Sequence, residues 1–80
     1  MIKYKGGDGS IKGKAIIILG PNNEREGVDA EFTYIERKCG YFEIESQLFI
    51  NDGNKQFDCL SISSVTGIIK DLWFDIRAFY

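Results

Sequence analysis

The stretch Tyr41-Phe42-Glu43-Ile44-Glu45-Ser46-Gln47-Leu48-Phe49-Ile50-Asn51-Asp52-Gly53-Asn54, running on through Phe57-Asp58-Cys59-Leu60-Ser61-Ile62-Ser63 and Val65-Thr66-Gly67 to Ile68-Ile69-Lys70-Asp71-Leu72-Trp73-Phe74-Asp75-Ile76, decides the fold. It divides into three runs rich in β-branched and aromatic residues, at Tyr41–Ile50, Phe57–Ser63 and Ile68–Ile76, which read as strands. The separators Asn51-Asp52-Gly53-Asn54 and Val65-Thr66-Gly67 each suit a three-residue hairpin loop, a type I turn closed by glycine in the left-handed region.

Those loops fix the registers. In the first hairpin Ile50 faces Asn54, so Ile44 faces Leu60 and Phe42 faces Ile62. In the second, Ser64 faces Ile68, so Leu60 faces Leu72 and Asp58 faces Phe74. One surface then gathers Phe42, Ile44, Leu48, Leu60, Ile62, Leu72, Phe74 and Ile76. The other gathers Glu43, Glu45, Gln47, Ser61, Ser63, Asp71 and Asp75. A two-residue second loop would oppose Asp58 to Asp75 and mix the two faces, which disfavours it.

Upstream, a helix is expected from about Glu24 or Gly27 to Cys39. Asn23 and Glu26 form a capping-box-like pair, and Gly40 is a fitting terminator. Val28, Phe32, Ile35 and Cys39 are spaced as one helical stripe, with Asp29 and Glu31 near the positive end of the macrodipole and Arg37 and Lys38 near the negative end. Before the helix, Lys14–Leu19 is a strand with three consecutive isoleucines, ended by Gly20-Pro21-Asn22-Asn23. Ile2–Lys5, followed by Gly6-Gly7-Asp8-Gly9, reads as a short hairpin strand. The expected architecture is a single α+β domain over residues 1–80, ordered β(β)αβββ, with one helix on the apolar face of a mainly antiparallel four- or five-stranded sheet. A right-handed crossover lets the Lys14–Leu19 strand lie beside either the Tyr41 or the Ile68 strand.

Eighty residues leave a thin core, and six Phe, four Tyr and one Trp compensate by burying large areas. No segment has the length or apolarity of a signal peptide or a membrane span, so a cytoplasmic protein with reduced Cys39 and Cys59 is expected. Net charge is −2, with Lys3, Lys5, Lys12 and Lys14 set against Asp8 alone in the first fourteen residues and acids in excess thereafter. An acidic body argues against nucleic-acid binding, and the four lysines read as a solvated edge-strand feature.

The chain has no histidine, which removes the commonest general base and leaves two cysteines unable to complete a usual structural zinc site. Gly9-Ser10-Ile11-Lys12-Gly13-Lys14-Ala15 superficially resembles a phosphate-binding loop. It is one residue short between glycines, has Ala where Ser or Thr is required, and precedes a strand. No cofactor or metal is expected. Asp58, placed on the helix-facing side, reads as a hydrogen-bonded carboxylate at the margin of helix cover. An enzyme using it as acid or base is the least favoured reading.

The surface opposite the helix carries Phe57, Cys59 and Trp73 as cross-strand neighbours, Phe49 beside them, and Glu43, Glu45, Asp71 and Asp75 around them. An aromatic cluster in an acidic rim is the composition of a protein-binding patch. The competing expectation is that the N-terminal segment or the Arg77-Ala78-Phe79-Tyr80 tail covers it. The chain is thus expected to be a non-enzymatic module that binds a protein through this face. A small acidic inhibitor or immunity-type protein acting on a basic partner fits the charge and size. The alternative is a self-associating structural or assembly subunit using the same face.

Overall fold

The computed structural model describes residues 1–79. Strands β1 (Lys3–Gly6) and β2 (Ile16–Leu19) precede helix α1 (Glu24–Cys39), which is followed by β3 (Phe42–Asp52), β4 (Lys55–Ser64) and β5 (Ile69–Asp75). The expected α+β order holds, with a short 3₁₀ turn at Lys12–Lys14 added before β2. All five strands share one sheet in the order β1-β2-β5-β4-β3. The chain leaves β2 through α1, reaches the far edge at β3, and returns by two hairpins until β5 lies parallel to β2, with Ile16 opposite Phe74 and Ile17 opposite Asp75. The isoleucine-rich strand therefore neighbours the last strand, and the sheet is mixed.

Local chemistry explains the helix ends. The Glu26 N–H donates to Asn23 Oδ1 at 2.9 Å, while Glu26 Oε1 accepts from the Asn22 N–H. The Gly40 N–H closes the other end on the Glu36 carbonyl. The face turned to the sheet is rotated from the expected stripe. Gly27, Ala30, Glu31 and Ile35 are buried, whereas Phe32 lies at the margin, edge-on to Phe42 at 6.1 Å. Small residues at 27 and 30 let the backbone approach closely, and the Phe79 ring occupies the space where any side chain at position 27 would stand. The core between the layers comprises Ile16, Ile18, Ala30, Ile35, Leu60, Ile62, Leu72, Phe74 and Ile76. From β1, Tyr4 reaches across to donate its hydroxyl to the Ala30 carbonyl at 2.7 Å and packs on Tyr34, which meets Phe74 edge-on.

The second hairpin has the expected loop. The Ser64 N–H donates to the Ile68 carbonyl, Gly67 has φ 83°, and Leu60 faces Leu72 while Asp58 faces Phe74. The first hairpin does not. Asp52 faces Lys55, so the turn is only Gly53-Asn54, with Gly53 at φ 64° and Asn54 at negative φ, the signature of a type II′ turn. A register shift between Ile44 and Ser46 then leaves Glu45 as a bulge. Ile44 consequently faces Ile62, and Phe42 faces Ser64. Between bulge and turn the expected faces are exchanged. Leu48 and Ile50 join Cys59 and Phe57 on the outer surface, whereas Gln47 and Phe49 join Leu60 and Asp58 on the helix side.

Candidate functional site

The aromatic patch expected on the outer face is partly assembled and partly covered. Phe57 and Trp73 meet there edge-on at 6.1 Å, with Cys59 paired to Trp73. Yet Phe57 is 3% and Cys59 8% exposed, and Trp73 is half-buried. The cover comes from the N-terminal segment. The Trp73 N–H donates to the Gly9 carbonyl at 2.8 Å, which carries the loop along β5. Lys12 then lies over the Phe57 ring at 5.8 Å and pairs with Asp52 at the β3–β4 turn. Lys12, in the turn before β2 and with its side chain still half exposed, thus reaches across the outer face from the Phe57 ring to Asp52. Phe49 is on the opposite surface, by the register above.

The four rim acids separate in the same way. Glu43 and Glu45 are exposed, the first accepting from the Tyr41 hydroxyl and the second from Ser63 Oγ. Asp71 accepts from Ser61 Oγ and is exposed. Asp75 is only 5% exposed, and the Arg77 guanidinium meets both of its oxygens at 3.2 Å. It is neutralised locally and is not available to steer a partner.

What remains open is β3 itself. It is an outermost strand, eleven residues long, and most of its residues are exposed. Leu48 is 60% exposed on the outer surface and Phe49 42% exposed on the helix side. Protein edge strands are ordinarily short, bulged or charged, because an open ladder edge is a template for another chain. Here the bulge and the two glutamates occupy the first half, and Ser46–Asp52 runs regular and uncharged up to Asp52.

A second unusual feature was hidden from the sequence. Glu31 has no exposure, and among the described residues neither of its oxygens finds a hydrogen-bond donor. Burial first, and then the hydrogen bond and charge of the neighbouring Asp58, push its carboxyl up to about 10. A carboxyl held this high keeps its proton at neutral pH, which removes the cost of burying a charge at Glu31. Asp58 is where its register placed it, opposite Phe74 on the helix-facing side, and it is buried. The signal available in the sequence was the small pair Gly27 and Ala30, which marks the face of closest helix approach and places Glu31 within it. Surface depressions are lined by Tyr4, Tyr34, Arg37 and Lys38 at one side of the helix and by Cys39, Phe42, Ile62 and Ile68 near its end.

Among the described residues no three potential metal ligands cluster, and no helix is long and apolar enough to cross a membrane. No family model, curated protein or solved structure matches this chain.

Proposed function

We propose that the protein is a non-enzymatic protein-binding module that docks an extended segment along the open edge of β3. The observation that carries this reading is a long edge strand, exposed along most of its length, with Leu48 well exposed on its outer face. An added strand would extend the sheet along that edge, and its alternate side chains would rest on the two faces. Glu43 and Glu45 at one end favour a segment carrying basic residues. The narrower form, an inhibitor or immunity-type protein in the cytoplasm acting on a basic partner, draws support from net charge −2 and small size. The clasp of Lys12 over Phe57 moves the docking surface from the Trp73 face to the neighbouring edge.

The test is an NMR titration with a short extended peptide of alternating valine and lysine. Amide shifts confined to residues 42–52, abolished by Glu43→Lys with Glu45→Lys, are expected. Shifts spread evenly over the sheet, or none at millimolar peptide, would overturn the reading.

A further inference from the structure

We propose that the depression between the end of α1 and the β4–β5 turn binds a small amphiphilic carboxylate, an aliphatic chain with one anionic head. This goes beyond edge docking, because the depression opens on the helix side of the sheet and takes only Phe42 from β3. The helix stops at Cys39, and near its end Ile44 and Ile68 stay 38% and 68% exposed. Phe42 stands opposite Ser64, and Ile62 opposite Lys70, on the same face as Leu60 and Leu72. Phe42, Ile62 and Ile68 form an apolar floor, with Cys39 as the wall on the helix side. The depression measures about 240 Å³. Sites for drug-sized ligands begin at roughly 300 Å³, so the chain that fits here is short.

Charge determines the head group. Lys38, from the last turn of α1, and Lys70, from β5, both line the depression, and no acidic residue does. Lys38 Nζ lies over the Tyr34 ring at 5.8 Å, a contact that positions the ammonium without neutralising it. Among the described residues the ion pairs are Lys12 with Asp52 and Arg77 with Asp75, so no carboxylate neutralises Lys38 or Lys70. Asp8 and Asp71 border the adjoining depression together with these two lysines. Asp8 accepts from Ser10 and Asp71 from Ser61, so both acids temper the positive field without occupying either ammonium. Glu45 accepts from Ser63 Oγ and Glu43 stands opposite Ser63, which places both on the other surface of the sheet. An apolar floor below two unneutralised cations matches a ligand that is apolar along its length and anionic at one end. A cationic amphiphile would be repelled, and an alcohol of the same length would leave both ammoniums without a counter-charge.

Amide NMR titrations of the unaltered protein with octanoate, octyltrimethylammonium and octanol hold the chain constant and change the head. Octanoate should shift the amides of residues 38–39, 42, 62–64 and 68–70 saturably, and bind about tenfold or more tighter than octyltrimethylammonium. Shortening it to hexanoate should weaken binding by up to about fourfold for each methylene lost from the floor. Added salt should weaken octanoate more than octanol. Lys70→Glu, an exposed position on β5, should reverse the preference between the two charged amphiphiles. If that variant fails to fold in a thermal melt, the head-group series on the unaltered protein decides alone. No saturable shift at millimolar octanoate, shifts centred on other residues, or equal binding of all three probes would overturn the proposal. The valine–lysine peptide reads residues 42–52, so the edge and this site succeed or fail independently.

Discussion

Glu31 on the helix and Asp58 on β4 are both buried between the layers, and burial together with the neighbouring Asp58 holds the Glu31 carboxyl up at about 10. The unfolded chain releases the Glu31 proton near the ordinary value of 4.5, whereas the folded chain keeps it up to about 10. Between those limits the native state binds more protons than the unfolded one, so the stability linked to Glu31 is fully present below the lower limit and falls as pH rises through the range. Asp8, held below its ordinary value by Ser10, and Asp52, held below by Lys12, act in the opposite sense in the acid range.

Urea melts at about pH 5, 7 and 9 should therefore give stabilities that decline in that order. A flat profile would show that the Glu31 carboxyl is not held up in the folded chain. Replacing Glu31 by glutamine keeps the shape and supplies a permanent N–H donor to Asp58. Glu31→Gln should raise stability at about pH 8 by roughly 1–3 kcal/mol and change it little near pH 4, where the carboxyl is already protonated. Paired denaturant melts at the two pH values check both halves of the expectation.

Leu60 is fully buried and faces Leu72, whereas Ser61 points outward to Asp71. Leu60→Ala should cost about 2–5 kcal/mol by leaving a cavity, a large part of the stability of a domain this small. Ser61→Ala should cost under about 1 kcal/mol. If Ser61→Ala proved the more damaging in urea melts, the strand would be flipped.

A Cβ at position 27 would stand 2.1 Å from a carbon of the Phe79 ring. Gly27→Ala should therefore destabilise the native protein despite the better helix propensity of alanine. In a Phe79→Ala background the same change should stabilise by up to about 1 kcal/mol. A double-mutant cycle by thermal melting reads the change of sign.

Lys12→Glu would turn the clasp into a repulsion with Asp52 and loosen the loop over the outer face. Trp73 emission should move to the red, and Cys59 should react faster with a thiol reagent. Burial and the nearby Asp71 hold the Cys59 thiol above its ordinary value, so exposure lifts the main restraint on it. Unchanged emission and reactivity would show that the loop is held without Lys12.

The fold class, the helix with its caps, and the second hairpin were legible in the sequence because each rests on local chemistry. Gly67 in Val65-Thr66-Gly67 admits one comfortable loop, and Leu60 and Leu72 agree with it by falling opposite each other. The first hairpin was not legible. Gly53 stands among Asn51, Asp52 and Asn54, all good turn residues, so a two-residue type II′ turn and a three-residue loop are both chemically satisfactory. The bulge at Glu45 then restores apolar pairing beyond it and hides the difference. The site followed that register. Phe49 was placed on the wrong face because its strand was, and Glu31 was missed because a charged residue near a helix start ordinarily serves the macrodipole from the surface.

The parallel contact between Ile16–Ile17 and Phe74–Asp75 also dictates an order of assembly. The β3–β4–β5 meander closes through short turns and can form early. The β1–β2 hairpin has no place in the sheet until the last strand is in position, since its neighbour there comes from the opposite end of the chain. Closing so long a loop is entropically costly before any contact rewards it. Folding should therefore pass its barrier when β2 docks against β5, and stopped-flow refolding should be slowed more by substitutions at Ile16 or Ile18 than by equally destabilising ones in the meander turns.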